Sequence, residues 1–183
     1  MRRRTGGALA AAALAAAIAP AAAAQQLEER IAAHREWSVY EHGSGGDRVC
    51  WVSSTPTRWE ARRGGNTVSV NRGEIYFNVA VRPGQGVENE PSFVAGYPLR
   101  SDPVRVQIGG DRFEMLPIGG GGSEGEFAWL ENPEADDDFV AAMRRGAEAV
   151  VTGVSTRGTT TVDTFSLMGF TAALEQARQA CAQ

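Results

Sequence analysis

RRGAEAVVTGVSTRGTTTVDTFSLMGFTAALEQARQAC, from Arg144 to Cys181, is the stretch on which the fold turns. Val150, Val151 and Val154 are β-branched residues suited to a pleated, half-buried surface, and Gly153 lies among them. Gly158 follows where a strand would end and turn. Thr159 to Leu167 then alternates: Thr160, Val162, Thr164 and Ser166 share one face, and Thr159, Thr161, Asp163, Phe165 and Leu167 share the other. Phe170, Leu174, Ala177 and Cys181 recur at helical spacing on a single stripe. Two strands, a glycine turn and a closing helix follow from that pattern. The cysteine on the helix's apolar stripe is placed to tie it to the body.

Upstream, turn signals separate more strand patterns. Trp37 to Tyr40 and Arg48 to Ser53 flank a flexible Gly43 to Asp47 turn. Glu74 to Val81 is apolar on both faces and reads as a central strand. Ser92 to Tyr97 is another. Pro103 to Ile108 and Arg112 to Leu116 flank Gly109-Gly110-Asp111 as a hairpin, and Phe127 to Leu130 is a short strand. Gln25 to Glu36 reads as a loosely held helix or arm. Arg58 to Asn66 reads as a polar hairpin loop, Pro83 to Pro91 as a loop without periodicity, and Ile118 to Glu126 as a glycine-rich loop. Asp136 to Gly146 is a helix whose acids lead and whose arginines close, complementing its dipole. Strands do not alternate with helices in the βαβ manner. The expected fold is mainly β: an antiparallel β-sandwich, with a partly open barrel as second choice, and two short helices, the last C-terminal.

Residues 1–24 read as a signal peptide rather than part of the domain. Arg2, Arg3 and Arg4 precede an apolar Ala8 to Ala19 run, and Ala22-Ala23-Ala24 offers a small-residue cleavage site. This stretch is mostly alanine, a poor match to the ~20 strongly apolar residues of a membrane span. Residues 25–183 are then expected as one domain in the periplasm or secreted. Without the three leader arginines, 15 basic residues face 22 acidic ones, a net charge of −7. Such a chain is a poor partner for nucleic acid or an anionic membrane surface. All basic side chains are arginine, which excludes a Schiff-base lysine. Cys50 and Cys181 are the only cysteines. An oxidising compartment favours their pairing over the alternative of two buried free thiols.

Chemistry-bearing patterns are sparse. The two histidines, His34 and His42, flank Trp37, and no G-x-S-x-G elbow accompanies them. Neither H-E-x-x-H nor C-x-x-C occurs, and Asp136-Asp137-Asp138 lacks the spacing of an EF-hand loop. Gly43 to Gly46 and Gly119 to Gly122 match no phosphate-binding fingerprint. No catalytic, cofactor or metal residues are therefore assigned. Trp37 and Trp51 sit in strand patterns as core residues. Arg58, Arg62 and Arg63 could form an anion-binding patch beside Trp59 or line a solvated loop. Arg157 and Asp163, either side of the Gly158 turn, could face a partner or form a buried pair fixing strand register.

The run GVSTRGTTTVDTFSLMGFTAAL, preceded by FVAAMRRG and followed by a lone cysteine, resembles the invasion-associated locus B family of bacterial envelope proteins. Trp37-Ser38-Val39-Tyr40, Cys50-Trp51-Val52-Ser53, Gly96-Tyr97-Pro98 and Ile108-Gly109-Gly110 extend the resemblance. Some members carry a further cysteine just after the first tryptophan strand, where this chain has Tyr40. The resemblance implies an exported, β-rich protein of a family named for a role in host-cell invasion. A non-enzymatic envelope protein meeting a protein partner in the envelope or on a host cell is the function to expect. A periplasmic small-ligand module or hydrolase, with a site between the sheets or under Pro83 to Pro91, is the alternative.

Overall fold

The computed structural model describes residues 29–118 and 123–182. The expected signal peptide and the Gly119 to Gly122 loop lie outside them. Twelve strands form one sheet: β1 (Glu29–His34), β2 (Trp37–His42), β3 (Val49–Ser54), β4 (Arg58–Arg63), β5 (Asn66–Thr67), β6 (Tyr76–Arg82), β7 (Val87–Val94), β8 (Val104–Ile108), β9 (Asp111–Ile118), β10 (Phe127–Leu130), β11 (Glu148–Val154) and β12 (Thr160–Ser166). Two helices, α1 (Asp136–Arg145) and α2 (Phe170–Cys181), complete the fold. Strand order is β1-β2-β3-β6-β7-β10-β9-β8-β11-β12-β4-β5, and every pairing is antiparallel. β1 and β5 end the sheet without pairing to each other.

The sheet is bent over on itself. Phe165 of β12 meets Phe77 of β6 edge-on at 5.5 Å and Phe93 of β7 at 6.2 Å, although β12 lies far from both in the ladder. Its halves therefore face each other across a filled aromatic core, as in a sandwich. The hydrogen-bonded ladder is nonetheless continuous, as in a barrel with one open seam. Both expected architectures describe part of this mainly β fold.

The two helices close the core. α1 carries three aspartates in its first turn and two arginines in its last, and Phe139 stacks flat on Phe77 at 5.8 Å while meeting Phe113 edge-on at 4.7 Å. α2 buries the stripe the sequence marked, Phe170, Leu174, Ala177 and Cys181. Trp37 packs on Phe170 at 4.9 Å and donates through Nε1 to Ser166 O at 2.9 Å. Gly169 starts the helix at φ +94°, where a Cβ would lie 2.0 Å from the His34 carbonyl oxygen, so no larger residue fits. Arg178 donates to Asn89 at 2.6 Å, and Asn89 in turn reaches Asp137, so β7 links both helices.

Four local readings are corrected. Glu29–His34 is an edge strand, not a helix: pairing with β2 and the packing of Ile31 and Ala32 on the core override its helical pattern. Arg58–Arg63 is a strand, hidden because only Ala61 of its six residues is buried. The supposed Pro83 to Pro91 loop is a 3₁₀ turn at Pro83–Gln85 followed by the first half of β7. Pro91 is tolerated there because β10 pairs only with Ser92 to Val94, leaving Pro91 locally at an edge. Trp51 is half-buried on the outer face, stacked on Tyr40 at 5.3 Å, whereas Trp37 is core.

Cys50 and Cys181 are bonded, with Cα atoms 5.8 Å apart, and both are buried. The bridge fastens the last turn of α2 to β3 and spans 131 residues of chain. A loop of that length stabilises by about 4–5 kcal/mol in the chain-entropy model. Complete reduction is expected to lower the melting temperature by roughly 10 °C. An unchanged melting temperature in fully reduced protein, verified by thiol counting, contradicts this.

Candidate functional site

One buried side chain bridges the two facing halves of the bent sheet. The side chain of Arg72, in the connection between β5 and β6, is 3% exposed, and that of its partner Asp163 on β12 is 0% exposed. Nη1 donates to Asp163 Oδ1 at 2.6 Å and Nη2 to Oδ2 at 2.9 Å. Nε and Nη2 also donate to Ala95 O, just beyond β7, at 3.1 and 2.7 Å. The guanidinium thus joins the two facing halves of the sheet with a bidentate fork. It lies 4.9 Å from the Tyr97 ring and 5.3 Å from the Trp59 ring, within cation–π range of both.

Neighbouring groups complete the network. Tyr97 Oη and Thr161 Oγ1 share a 2.6 Å hydrogen bond, and Thr161 Oγ1 donates to Asp163 Oδ2 at 3.4 Å. Burial, chiefly, raises the Tyr97 phenol above its ordinary pKa, which keeps it a neutral donor. The ring fits because β11 has Gly153 opposite Thr161: a Cβ there would stand 2.8 Å from Tyr97 Oη.

Above this floor lies a cleft of about 490 Å³, walled by the Ser69 to Arg72 segment, Gly96-Tyr97-Pro98 and the turn after β11. That turn is braced throughout. Ser155 N donates to Thr159 O and Gly158 N to Ser155 O, each at 2.8 Å. Thr159 N donates to Ser155 Oγ at 3.1 Å, and Thr156 N to Pro98 O at 3.0 Å. Gly158 supplies the left-handed residue at φ +76°.

The sequence candidates separate in space. Asp163 is buried as its register implied, but its ionic partner is Arg72, 91 positions away, and not Arg157. Arg157 lies on the exposed part of the turn and lines the cleft. Arg63 joins it there, donating from Nε and Nη2 to Thr159 Oγ1 at 3.0 and 2.6 Å. Arg58 instead forks onto Glu148 at 3.1 and 3.2 Å, and Arg62 pairs with Glu60 at 3.2 Å. The three arginines of β4 therefore do not form one patch. Arg72 escaped the sequence reading because its segment has no periodicity; a buried-face acid in β12 needing a cation was the available signal.

Two other features lie away from the cleft. A second, more open hollow of about 530 Å³ includes Arg82, Glu90, Pro91, Trp129, Leu130 and Asp136. Burial, with Glu90 and Asp137 nearby, raises Asp136 from 3.8 to about 6. Among the described residues no group of three or more His, Cys, Asp or Glu is arranged to hold a metal. Next to this hollow, the outer face of the sheet carries a transverse apolar row in register: Tyr76 on β6, Val94 on β7, Phe127 on β10 and Ile118 on β9. Ile118 is 54% exposed and the other three are half-buried. Trp129, paired with Leu116, stacks on Phe127 at 5.5 Å.

Breaking the buried pair leaves a desolvated charge, which costs about 3–5 kcal/mol. Asp163→Asn is expected to melt roughly 10 °C below wild type, while Arg157→Ala melts within about 2 °C of it. Equal losses in the two variants would return the register role to Arg157. For Asp136 the folded value lies above the unfolded one, so its contribution to stability is present below about pH 4 and is lost as pH rises through about 6. Asp136→Asn is accordingly expected to raise the melting temperature at pH 7.5 and to lose that advantage at pH 4. A variant no more stable at pH 7.5 contradicts this.

Among the described residues no helix is long and apolar enough to cross a membrane, which says nothing of β-barrel spans. No curated protein and no solved structure matches the chain. Residues 99–178 match the family model described as Invasion associated locus B (IalB) protein. The matched segment runs from Leu99, next after the cleft's Pro98, through α1, β11, the Ser155 to Thr159 turn and β12 into α2; the Trp37, Cys50 and Gly96 motifs lie outside it. That match, over 80 of the chain's 183 residues, supports its assignment to the invasion-associated locus B family.

Proposed function

We propose that the protein is an exported, non-enzymatic component of the cell envelope that acts by binding another protein through the outer face of β6, β7, β10 and β9. The observation carrying this reading is the in-register apolar row Tyr76–Val94–Phe127–Ile118 with Trp129 stacked beside it. Its surroundings favour a protein over a lipid surface. Glu74, hydrogen-bonded by Tyr76, borders the row at one end, and Arg112 and Glu114 continue the outer face of β9. An aromatic centre within a rim of mixed charge is the anatomy of a protein interface, whereas an anionic bilayer selects basic clusters.

Export is supported by the leader pattern of residues 1–24 and by a buried disulfide, a bond of oxidising compartments. The match to the family model is in keeping with the envelope, and contact with a host cell is the extension that the family's name suggests.

Site-specific photo-cross-linking in intact cells tests the reading. A photoreactive residue at Ile118 is expected to trap one discrete envelope protein. Trp129→Ser should abolish that product while changing the melting temperature by only a few degrees, because Trp129 is incompletely buried. A product of the same yield from a photoreactive residue at Arg58, outside the row, overturns the proposal, as does survival of the product in Trp129→Ser.

A further inference from the structure

The cleft at the sheet seam is chemically unlike the outer row and is independent of it. Among the described residues, neither Arg63 nor Arg157 forms an ion pair, yet both line this cleft. Arg72 beneath them is neutralised by Asp163. Glu126, which also lines the cleft, offsets one of the two remaining cations. The cleft thus carries one net positive charge in a chain whose overall balance is acidic. Charge opposite to the surroundings, focused in a concavity, concentrates ligands of the complementary sign.

The ligand's chemistry follows from the lining. Among the described residues, Arg63 spends Nε and Nη2 on Thr159 and has no partner for Nη1, and no hydrogen bond or ion pair engages the Arg157 fork. One net positive charge matches a monoanion better than a phosphate dianion, and an arginine fork fits a carboxylate bidentately. The remaining side-chain donors and acceptors are hydroxyls and an amide, Ser69, Asn71 and Thr156 among them. These suit the hydroxyls of a sugar. The volume, about 490 Å³, lies in the range of small-molecule sites. We infer that this cleft is a binding site for a hydroxylated carboxylate of the uronic-acid type, its carboxylate held by Arg157 and Arg63 and its hydroxyls by the Ser69 to Asn71 and Ser155 to Thr156 walls. The backbone of the turn that carries Arg157 is braced, so the ordering that opposes binding falls on the Arg157 side chain and not on the loop.

Calorimetric titration of the purified, oxidised protein at low salt tests the site, with glucuronate, its neutral counterpart glucose, and N-acetylglycine as a carboxylate lacking hydroxyls. Glucuronate is expected to bind, and each of the other two to bind at least about tenfold more weakly, as loss of a charge-assisted hydrogen-bonding partner implies. Arg157→Ala and the charge reversal Arg157→Glu are expected to weaken glucuronate about tenfold or more without lowering the melting temperature, and Arg58→Ala to leave it unchanged. A trigalacturonate probe distinguishes sources: tighter binding than the monomer identifies the end of an acidic polysaccharide, and equal binding a free sugar acid. Glucose binding as tightly as glucuronate overturns the anion site. N-acetylglycine binding as tightly replaces the saccharide with a peptide carboxyl terminus. No binding of glucuronate or trigalacturonate at 10 mM (about 2.7 kcal/mol or weaker at 1 M standard state), or full binding in Arg157→Glu, overturns the proposal altogether.

Discussion

The fold depends on a charge taken out of water. A twelve-stranded antiparallel sheet that bends without closing leaves a seam, and the two halves need something other than ladder hydrogen bonds to hold them there. Beside the aromatic core and the Trp37–Ser166 hydrogen bond, Arg72 supplies a directional link, with four donor contacts shared between the Asp163 carboxylate and the Ala95 carbonyl. Apolar side chains of similar volume would serve stability as well or better. What the ion pair adds is geometry. A planar fork with two aromatic faces beside it accepts one arrangement of β12, the end of β7 and the β5–β6 connection. That arrangement sets the floor of the cleft.

Around that clamp the remaining elements divide the work. The Phe77, Phe93, Phe139 and Phe165 cluster fills the space between the halves, and the disulfide fastens the last turn of α2 to β3. With the interior filled, function falls to surfaces, and two differ in kind. The outer row is apolar and spread over four strands. The seam cleft is small, polar and net positive. A contact of the first kind suits a protein; a cleft of the second suits a small anion. Because they lie on different faces of the sheet, one molecule can use both.

Much of this was legible from residues alone, wherever a local period reported a local environment. The faces of Thr159 to Leu167, the buried stripe of α2, the dipole-matched ends of α1 and the Gly109-Gly110 hairpin all follow from spacing within about ten residues. The two cysteines followed from compartment chemistry. What stayed hidden was set by partners distant in sequence. β1 reads as helical because an edge strand buries little, and β4 reads as a loop because five of its six residues are exposed. Asp163 was open between a partner-facing acid and half of a buried pair; its nearest arginine in sequence, Arg157, sits on the exposed part of the braced turn, while Arg72 arrives from the connection between β5 and β6. Trp51 sits in a strand as expected, and only the direction of the neighbouring strands places it outside.

A double-mutant cycle on Arg72 and Asp163 tests the clamp most directly. Arg72→Met, Asp163→Leu and the pair together would be compared by equilibrium unfolding in denaturant. If the pair closes the seam as described, each single substitution costs about 3–5 kcal/mol. The double variant would then lose about 1–3 kcal/mol less than the sum of the two single losses. Additive losses, with no coupling between the two positions, would mean that the halves of the sheet are held by packing alone and that the account of the seam is wrong.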